Sequence, residues 1–473
     1  MSAAAFETVI GLEVHVQLAT RSKMFCGCAV AFAGDPNTRT CPVCAGHPGA
    51  LPVPNAHAVH LGLRAALALG CTIAQDLCFD RKNYFYPDLP KGYQISQFAR
   101  PLGRDGGLAL ATGPAVRIER IHLEEDAGKN LHGPAGSLLD LNRAGVPLAE
   151  IVTHPDLRSP AQAHAYLTAL KQVLRYAQVS ECDLEKGSLR CDANVSVRRA
   201  GDPRLGTKVE IKNLNSFKMV EKAIEYEATR QAVELSAGRR IVQETRLWSD
   251  DKSETRSLRS KEHAHDYRYF PDPDIPARPL DPALVAAVRR ELPEAPAARR
   301  ARFVSALGLS PGDAEVLTAE RAVADYFEAV AQHSGDAKAA ANWVMGEVLH
   351  ALHGASGGIE QFPIPPAALA ELLARVKDGT VNHMAARRAF AHMHTSGATA
   401  SAAIQALGLE QLSDRTALEA VVRTTLEQMA GVAADYKAGK RKALDALKGA
   451  IMRATRGKAN PAVVAELLEQ LLK

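Results

Sequence analysis

The sequence lacks the segments that carry a protein into or across a membrane. Nowhere in its 473 residues do roughly 18 apolar residues run together, so we expect no membrane-spanning helix. The opening residues, Met-Ser-Ala-Ala-Ala-Phe-Glu, have neither the basic start nor the apolar stretch of a secretory signal. Eight cysteines without such a signal are typical of a reducing compartment, where clustered thiols bind metal more often than they form disulfides. We therefore expect a cytoplasmic protein with no membrane partner.

The common nucleotide-binding and nucleophile motifs are also missing. The sequence has no Gly-x-x-x-x-Gly-Lys-Ser/Thr loop, no Gly-x-Gly-x-x-Gly fingerprint after a strand and no Gly-x-Ser-x-Gly turn. If ATP is used, its phosphates must be held by metal ions and by Arg or Lys side chains on a sheet. The net charge of +4, from 57 basic and 53 acidic residues, is too small to indicate a nucleic-acid binder by itself.

The composition divides the chain into a mixed first part and a helical second part. Helical patterns at about 55–70, 160–178 and 216–237 interrupt short alternating segments, which predicts an α+β domain built on antiparallel sheet. The proline-dense run 270–282 should lack regular structure and mark a boundary region. Beyond it, residues with helical periodicity take over. We predict three domains: 1–292, a helical domain 293–405 and a small helical tail 406–473.

The segment 9–18 has the period-2 pattern of a strand. Its apolar residues alternate with Glu13 and His15, which therefore lie side by side on one face. An acid and an imidazole two residues apart can share one cation or one substrate. The alternative is a half-exposed edge strand whose polar face meets water.

Further acidic residues lie on other segments with strand character. These are Asp192 and Asn194 in 190–197, Glu210 in 208–212, Glu124 and Glu125 in 122–126, and Glu150 in the apolar run 147–152. Several strands that offer Asp, Glu, Asn and His on one surface can form an oxygen-rich Mg²⁺ site. Each acid taken singly is more typical of a solvated face or of a salt bridge than of a metal site. Strand periodicity leaves open whether Glu124 or Glu125 faces such a site.

Four cysteines form two close pairs. Cys26 and Cys28 are followed, after a short loop, by Cys41 and Cys44, a spacing typical of a four-thiolate zinc knuckle. Four protein thiolates leave no open position for substrate, so this site, within 26–44, would be structural. The alternative is four unrelated buried thiols. We interpret the other four cysteines as small core residues: Cys71, Cys78, Cys182 and Cys191.

The tail carries a local concentration of positive charge. Between residues 431 and 460 there are eight basic and two acidic residues, a net charge of +6. Such clustering on a helical pair suits a phosphate backbone, although a merely solvated helix face is the alternative. We predict a helix over about 442–456 ended by Gly457, and a final helix that begins at Asn460 and Pro461. The candidate nucleic-acid contacts are Lys440, Arg441, Lys442, Arg453, Arg456 and Lys458.

Nine motifs spread over the whole chain resemble the B subunits of bacterial tRNA-dependent amidotransferases. They lie at 10–15 (Ile-Gly-Leu-Glu-Val-His), 79–88, 93–98, 124–129, 141–147, 187–194, 212–217, 266–271 (Asp-Tyr-Arg-Tyr-Phe-Pro) and 454–460. The resemblance implies a glutamine-synthetase-like cradle domain followed by a helical domain and a tail. It also implies a carbon–nitrogen ligase that uses ATP, Mg²⁺ and glutamine to amidate mischarged Glu-tRNA(Gln) or Asp-tRNA(Asn). The zinc site rests on the cysteine spacing and not on the resemblance.

The resemblance assigns roles to the polar residues. It implies Mg²⁺ ligands at Glu13, His15, Glu125 and Glu150, and so favours Glu125 over Glu124. Asp192 and Asn194, with Glu210, would hold a second ion or the metal of the nucleotide. Lys82, Lys91 and Glu125 would stand at the exit of an ammonia tunnel and shuttle a proton.

The resemblance also implies partners. Ammonia would come from an amidase (A) subunit, a small C subunit would wrap the A–B interface, and the basic tail would dock the tRNA. Two other interpretations remain: a zinc-bearing tRNA-binding scaffold without chemistry, and a stand-alone ATP-dependent amide ligase.

Overall fold

A computed structural model of the chain describes residues 6–111, 113–134, 136–260, 267–353, 357–411, 415–437, 440–455 and 457–472. The chain divides into two compact units, Met1–Ala297 and Ala298–Lys473. Among the described residues, no helix combines the length and the apolar character needed to cross a membrane.

A nine-stranded sheet is the centre of the first unit. In chain order the strands are β1 (Phe6–Gln17), β2 (Thr72–Ile73), β3 (Asp76–Leu77), β4 (Asp80–Asn83), β5 (Tyr93–Ser96), β6 (Gly103–Leu108), β7 (Val116–Glu125), β8 (Lys129–Gly133), β9 (Gly136–Asp140), β10 (Pro147–Thr153), β11 (Leu189–Arg199), β12 (Val209–Leu214), β13 (Glu244–Ser249), β14 (Glu254–Ser260), β15 (Phe270–Pro271) and β16 (Arg278–Pro279). The large sheet has the order β14-β13-β12-β11-β1-β10-β7-β6-β2. Its neighbours are antiparallel except β12 and β13, which are parallel. The predicted α+β class is confirmed. The sheet is antiparallel, as predicted, except for this one parallel pair.

The three helices predicted for this unit are confirmed. They are α1 (Ala56–Ala68), α2 (Pro160–Tyr176) and α3 (Phe217–Ser236), and α4 (Pro282–Glu291) follows them. Each of the first three begins after a side chain that accepts hydrogen bonds from the first turn: Asn55, Ser159 and Ser216. Such caps satisfy amide groups that have no partner within the helix, which fixes where each helix starts.

Burial fixes the register of β1 at the middle of the sheet. Leu12, Val14 and Val16 are fully buried in one hydrophobic core with residues of α1, α2 and α3. A one-residue shift of the strand would expose these side chains and bury the polar ones, at a cost of about 1.5–3 kcal/mol per apolar residue. Glu13 and His15 are therefore held on the other face of the sheet.

The proline-dense run does not behave as predicted. Phe270 pairs with Arg81 as part of β15 and β4, and Arg278 pairs with Leu77 as part of β16 and β3. The expectation of no regular structure is wrong here because short edge pairings need few amide donors, and proline can occupy such edges. Residues 270–271 and 278–279 of this run are therefore strands of the first unit.

The regular elements described after α4 are all helical. They are α5 (Pro296–Leu307), α6 (Pro311–Leu317), α7 (Arg321–Ser334), α8 (Ala337–Trp343), a π-helical segment (Val344–Val348), α9 (Leu349–Leu352), a 3₁₀ turn (Ile359–Gln361), α10 (Pro366–Lys377), α11 (His383–Ser396), α12 (Ala400–Ala406), α13 (Arg415–Gln428), α14 (Ala430–Lys437), α15 (Ala443–Ala454) and α16 (Pro461–Leu472). The second unit has two separate hydrophobic cores, one within 303–409 and one within 418–472. The predicted boundaries at 292 and 405 stay predictions.

The last two helices lie close to their predicted positions, although α15 ends at Ala454 and not next to Gly457. Gly457 has a φ of +79°, the left-handed conformation that glycine adopts without strain. The Asn460 side chain accepts a hydrogen bond from the amide of Ala462, at 3.0 Å, and so caps α16.

Candidate active site

Strand pairing brings polar side chains from several strands onto one face of the sheet. His15 on β1 lies directly opposite Glu150 on β10, and Glu150 lies opposite His122 on β7. On the other side of β1, Glu13 lies opposite Asp192 on β11. Directly opposed residues of antiparallel strands share a face, so the sheet register itself assembles this surface. We call it the polar floor.

A compact group on the polar floor has the composition of a metal site. His15 Nε2 lies 3.3 Å from Glu150 Oε2 and 3.4 Å from Glu124 Oε1. One ligand atom from each of the three residues lies within 4.8 Å of the others. Two carboxylates and one imidazole on rigid strands suit a small divalent cation, with positions left for water or phosphate oxygens.

His122 belongs to the same group, although it was not among the predicted site residues. Its Nε2 lies 3.3 Å from Glu150 Oε2 and 3.7 Å from Glu124 Oε2. The side chain is buried, and its Nδ1 is one of the buried polar atoms for which no hydrogen-bond partner is found among the described residues. The sequence did contain a signal, because His122 and Glu124 share the parity of one strand.

The charges of this group are strongly coupled. Burial alone would lower the pKa of His15, but the hydrogen bond to Glu150 and the charges of Glu150 and Glu124 raise it to about 9. Burial would also lower the pKa of His122, but the same two carboxylates raise it to about 9. Burial also tends to raise the pKa of Glu150, but the charge of His122 and the contacts with both histidines hold it well below its usual range. Both carboxylates thus favour a positive charge beside them, which a bound cation would also supply.

Glu125 does not lie in this group. Its Oε1 accepts hydrogen bonds from Lys91 Nζ at 2.5 Å and from the Ile95 amide at 3.0 Å. Because successive residues of a strand point to opposite faces, Glu124 and not Glu125 reaches the polar floor. The structure therefore corrects the metal assignment of Glu125 and pairs this residue with Lys91 instead. The tunnel-exit role of the pair stays a prediction.

Lys82, the third member of that set, is not brought into contact with Glu125. Its Nζ lies 4.8 Å from the centre of the Tyr267 ring. Burial would lower the pKa of Lys82, but the nearby charges of Glu124 and Glu150 outweigh burial and raise it. The carboxylates of the polar floor thus favour the charged form of Lys82.

The predicted second group lies farther along the polar floor. Asn194 Nδ2 donates to Glu13 Oε1 at 2.9 Å, and burial and the charge of Glu150 raise the pKa of Glu13. Lys212 Nζ lies 2.5 Å from Asp192 Oδ2 and 3.2 Å from Glu210 Oε1. The sequence interpretation did not include this lysine, whose ammonium already neutralises the two acids. A cavity of about 340 Å³ beside Glu13 and Asn194 gives this end of the floor room for a ligand.

The four predicted zinc ligands are brought together. One sulfur from each of Cys26, Cys28, Cys41 and Cys44 lies within 4.8 Å of the others, and Cys44 Sγ lies 3.9 Å from Cys41 Sγ and 4.0 Å from Cys28 Sγ. Zn–S bonds of about 2.3 Å in a tetrahedron require sulfur atoms roughly 3.8 Å apart, so the set fits zinc. The pKa of Cys44 is lowered to about 4, chiefly by the hydrogen bond from Cys26, although burial opposes the shift. We call residues 26–44 with these thiols the cysteine knuckle.

Lys23 supports the cysteine knuckle from inside. It is fully buried, and its Nζ lies 3.4 Å from Cys44 Sγ and donates to the Leu141 carbonyl at 3.1 Å. A four-thiolate zinc site is an anion, so a buried ammonium beside it supplies part of the missing charge. The remaining thiols, Cys71, Cys78, Cys182 and Cys191, are buried and free, as predicted.

Comparison with known proteins assigns the chain to a family. A model of the GatB/GatE catalytic domain matches residues 8–286, and a model of the GatB domain matches residues 325–472. The B subunit of the aspartyl/glutamyl-tRNA(Asn/Gln) amidotransferase of Moorella thermoacetica is 50% identical over 474 residues, which cover 99% of this chain and 100% of that protein. The corresponding B subunits of Carboxydothermus hydrogenoformans and Myxococcus xanthus are 49% identical, over 475 and 477 residues, and cover at least 99% of both chains.

This chain belongs to the family of amidotransferase B subunits. The first match contains the whole polar floor and the cysteine knuckle, and the second contains the basic tail.

Five of the six candidate basic residues of that tail are exposed, as binding to a polyanion requires. Lys440, Arg441, Lys442, Arg453 and Lys458 all lie on the surface of the second unit. Lys440 Nζ forms an ion pair with Asp435 at 3.0 Å, so part of its charge is already neutralised. Arg456, the sixth candidate, and Asp266, the first residue of the motif at 266–271, lie outside the described residues.

Proposed function

We propose that this chain is the synthetic subunit of an amidotransferase that converts mischarged Glu-tRNA(Gln) or Asp-tRNA(Asn) to the amidated form. The observation that supports this most directly is the convergence of His15, Glu124 and Glu150 on one sheet face, whose carboxylates also raise the pKa of Lys82. A scaffold that only held tRNA would need no such buried, strongly coupled group. Family membership supports the same activity.

The proposed reaction has two steps because a carboxylate is a poor acyl donor. Its oxygen must first be phosphorylated by ATP, and ammonia then displaces phosphate from the activated carbonyl. Glu124, Glu150 and His15 would hold Mg²⁺, and the ion would neutralise phosphate oxygens during the transfer. Lys82, whose pKa the same carboxylates raise, would add a positive charge.

The second group would support the nucleotide. Asp192, Asn194 and Glu210 face the same surface as the metal group, and Lys212 lies between the two acids. An ion that joined Asp192 and Glu210 would have to displace the Lys212 ammonium, which would then be free to contact phosphate oxygens. The cavity beside Glu13 offers space for the rest of the nucleotide.

Ammonia would be used at the Lys91–Glu125 pair. Glutamine would be hydrolysed on an amidase partner subunit, and a small third subunit would complete the assembly. The ammonium ion must lose a proton before it can attack, and a carboxylate paired with a lysine can take up and pass on that proton. The contact between Lys91 and Glu125 supports this assignment.

The zinc site and the tail would serve structure and substrate binding. The cysteine knuckle would hold a structural zinc ion, because its four sulfur ligands leave no place for a substrate. The exposed basic residues of α15 and its flanks would contact the tRNA backbone. The assembly would work in the cytoplasm, where its ATP, tRNA and glutamine-derived ammonia would be supplied.

Reconstitution with its partner subunits tests the proposal. Each mischarged tRNA is supplied with ATP and glutamine, and the amide is detected on the tRNA. We expect ATP-dependent amidation of at least one of the two tRNAs, and loss of this activity in the Glu124→Gln variant. If the Glu124→Gln variant amidated the tRNA at the parent rate, the proposed metal-binding role of this group would lose its support. Amidation of a free acid by the lone chain would favour a stand-alone ligase instead.

A further inference from the structure

The turn that follows the cysteine knuckle lies directly against the backbone of Lys91. Gly46, two residues after the last cysteine, approaches so closely that a Cβ atom there would lie 2.7 Å from Lys91 N and 2.9 Å from Pro90 C. Both neighbours are backbone atoms, which cannot rotate away as a flexible side chain would. Only a residue without a side chain allows this contact.

Gly46 is tied firmly to the cysteine turn. Its amide donates to the Val43 carbonyl at 3.1 Å, and the amides on either side of it, those of Ala45 and His47, donate to Cys41 and Pro42 at 2.9 and 2.8 Å. A metal ion that fixes Cys41 and Cys44 would therefore also fix the position of Gly46.

On its other side, the Lys91 turn reaches the proposed ammonia site. Lys91 Nζ contacts Glu125 Oε1, and Gln94 Nε2 donates to the Glu125 carbonyl at 2.7 Å. The knuckle, the turn after it and this pair also line one cavity of about 370 Å³, to which Cys26, His47, Lys91 and Glu125 all contribute.

We propose that the cysteine knuckle positions Lys91 for the ammonia step, through the contact between Gly46 and the Pro90–Lys91 backbone. Gly46 is on this account a positioning residue and not a catalytic one. The inference rests on the proposed function, since it assumes that the Lys91–Glu125 pair meets ammonia. The inference gives the structural metal site a role in the reaction. The knuckle forms part of the wall of the cavity where ammonia is used, and it positions the Lys91 side chain there.

The chain provides a matched control in the same loop. Gly46 and Gly49 both have a left-handed backbone, with φ of +69° and +81°. A Cβ on Gly49 would meet nothing within 4 Å. Alanine at either position therefore brings a similar backbone strain, about 1 kcal/mol or more, but only Gly46→Ala pushes on Lys91.

The experiment uses the reconstituted complex with ammonium chloride as the nitrogen donor. We expect Gly46→Ala to lower kcat/KM for ammonia at least about tenfold, while tRNA-dependent ATP cleavage without ammonia stays within about twofold. Gly49→Ala should keep both rates within about twofold of the parent. When Lys91→Met is already present, adding Gly46→Ala should lower kcat/KM for ammonia by less than about a further twofold. The two effects should not add, because both changes act on the same contact.

The outcomes separate the inference from the function it rests on. If Lys91→Met alone amidates at the parent rate with ammonia, the proposed role of the Lys91–Glu125 pair fails and the inference fails with it. If Lys91→Met is impaired but Gly46→Ala behaves like Gly49→Ala, or adds its full effect to Lys91→Met, the inference alone is wrong.

Hydrogen exchange keeps the inference testable if Gly46→Ala does not fold. In the Cys41→Ser complex, we expect faster amide exchange both in residues 41–47 and in the Lys91 segment 88–93, with a reference segment in α2 unchanged. Faster exchange in 41–47 alone would overturn the inference.

Discussion

Glu124 and Glu125 are neighbours on β7 whose carboxylates lie in different clusters. Glu124 Oε1 lies 3.4 Å from His15 Nε2, whereas Glu125 Oε1 lies 2.5 Å from Lys91 Nζ. The alternation of a strand thus separates two chemical tasks by a single residue. On the proposed mechanism, the carboxylate that holds the metal and the one that meets ammonia come from the same strand end, so the two reaction steps are held in a fixed spatial relation.

Exchanging these two glutamates for glutamine should give different defects. Glu124→Gln removes a charged ligand from the metal group, so we expect Mn²⁺, used as a probe for Mg²⁺, to bind at least about 10–100-fold more weakly. Glu125→Gln should leave Mn²⁺ affinity within about twofold but impair the use of ammonia. Electron paramagnetic resonance titration of free Mn²⁺ measures the first effect, and amide formation on the tRNA measures the second. Equal Mn²⁺ affinity in the two variants would contradict the separation.

Most of the polar floor could be predicted from the sequence, because strand alternation is a local property. Alternation alone is enough to place Glu13 with His15, and Asp192 with Asn194, on single faces. It could not choose between Glu124 and Glu125, because that choice depends on which face the helices cover, and this is decided by packing between distant segments. The ammonium ions of Lys23 and Lys212 were missed for the same reason: only tertiary structure places each of them beside its anionic partners.

The cysteine knuckle should contain one zinc ion per chain. Substituting Cys41 by Ser removes a thiolate ligand, so Cys41→Ser should lose the metal, because three sulfurs and a weakly binding hydroxyl make a much poorer site. Cys182→Ser is a suitable control, since Cys182 is equally a thiol but is buried away from the knuckle. Metal analysis of the purified proteins gives the answer. A parent protein without zinc, or a Cys41→Ser variant that keeps it, would rule out this site.

Glu227 should contribute strongly to the stability of the first unit. This carboxylate on α3 is fully buried and accepts hydrogen bonds from Arg230 at 2.6 Å, from Gln231 at 2.9 Å and from Thr255 on β14 at 2.9 Å. Glu227→Leu would remove the acceptor of these three hydrogen bonds, at a cost of about 3–5 kcal/mol in the free energy of unfolding.

The exposed Glu225 on the same helix provides the control for that measurement. Glu225→Leu should change stability by less than about 0.5 kcal/mol, since its side chain lies on the surface. Chemical denaturation of the two variants beside the parent compares them directly. A similar loss in both would show that the buried network around Glu227 contributes little.

The basic tail should bind tRNA mainly through its phosphates. Arg441 and Lys442 are exposed next to α15, so the double variant Arg441→Ala/Lys442→Ala should weaken tRNA binding without changing the fold. For each phosphate that the variant no longer neutralises, the slope of log K against log salt should become shallower by roughly 0.7–0.9, because fewer counterions are released. Fluorescence anisotropy at several salt concentrations measures both affinity and slope. Lys377→Ala removes an exposed charge outside the tail and should leave the slope unchanged. If the double variant also kept the parent slope, the charge cluster would be a solvated helix surface and the tRNA would have to be held elsewhere.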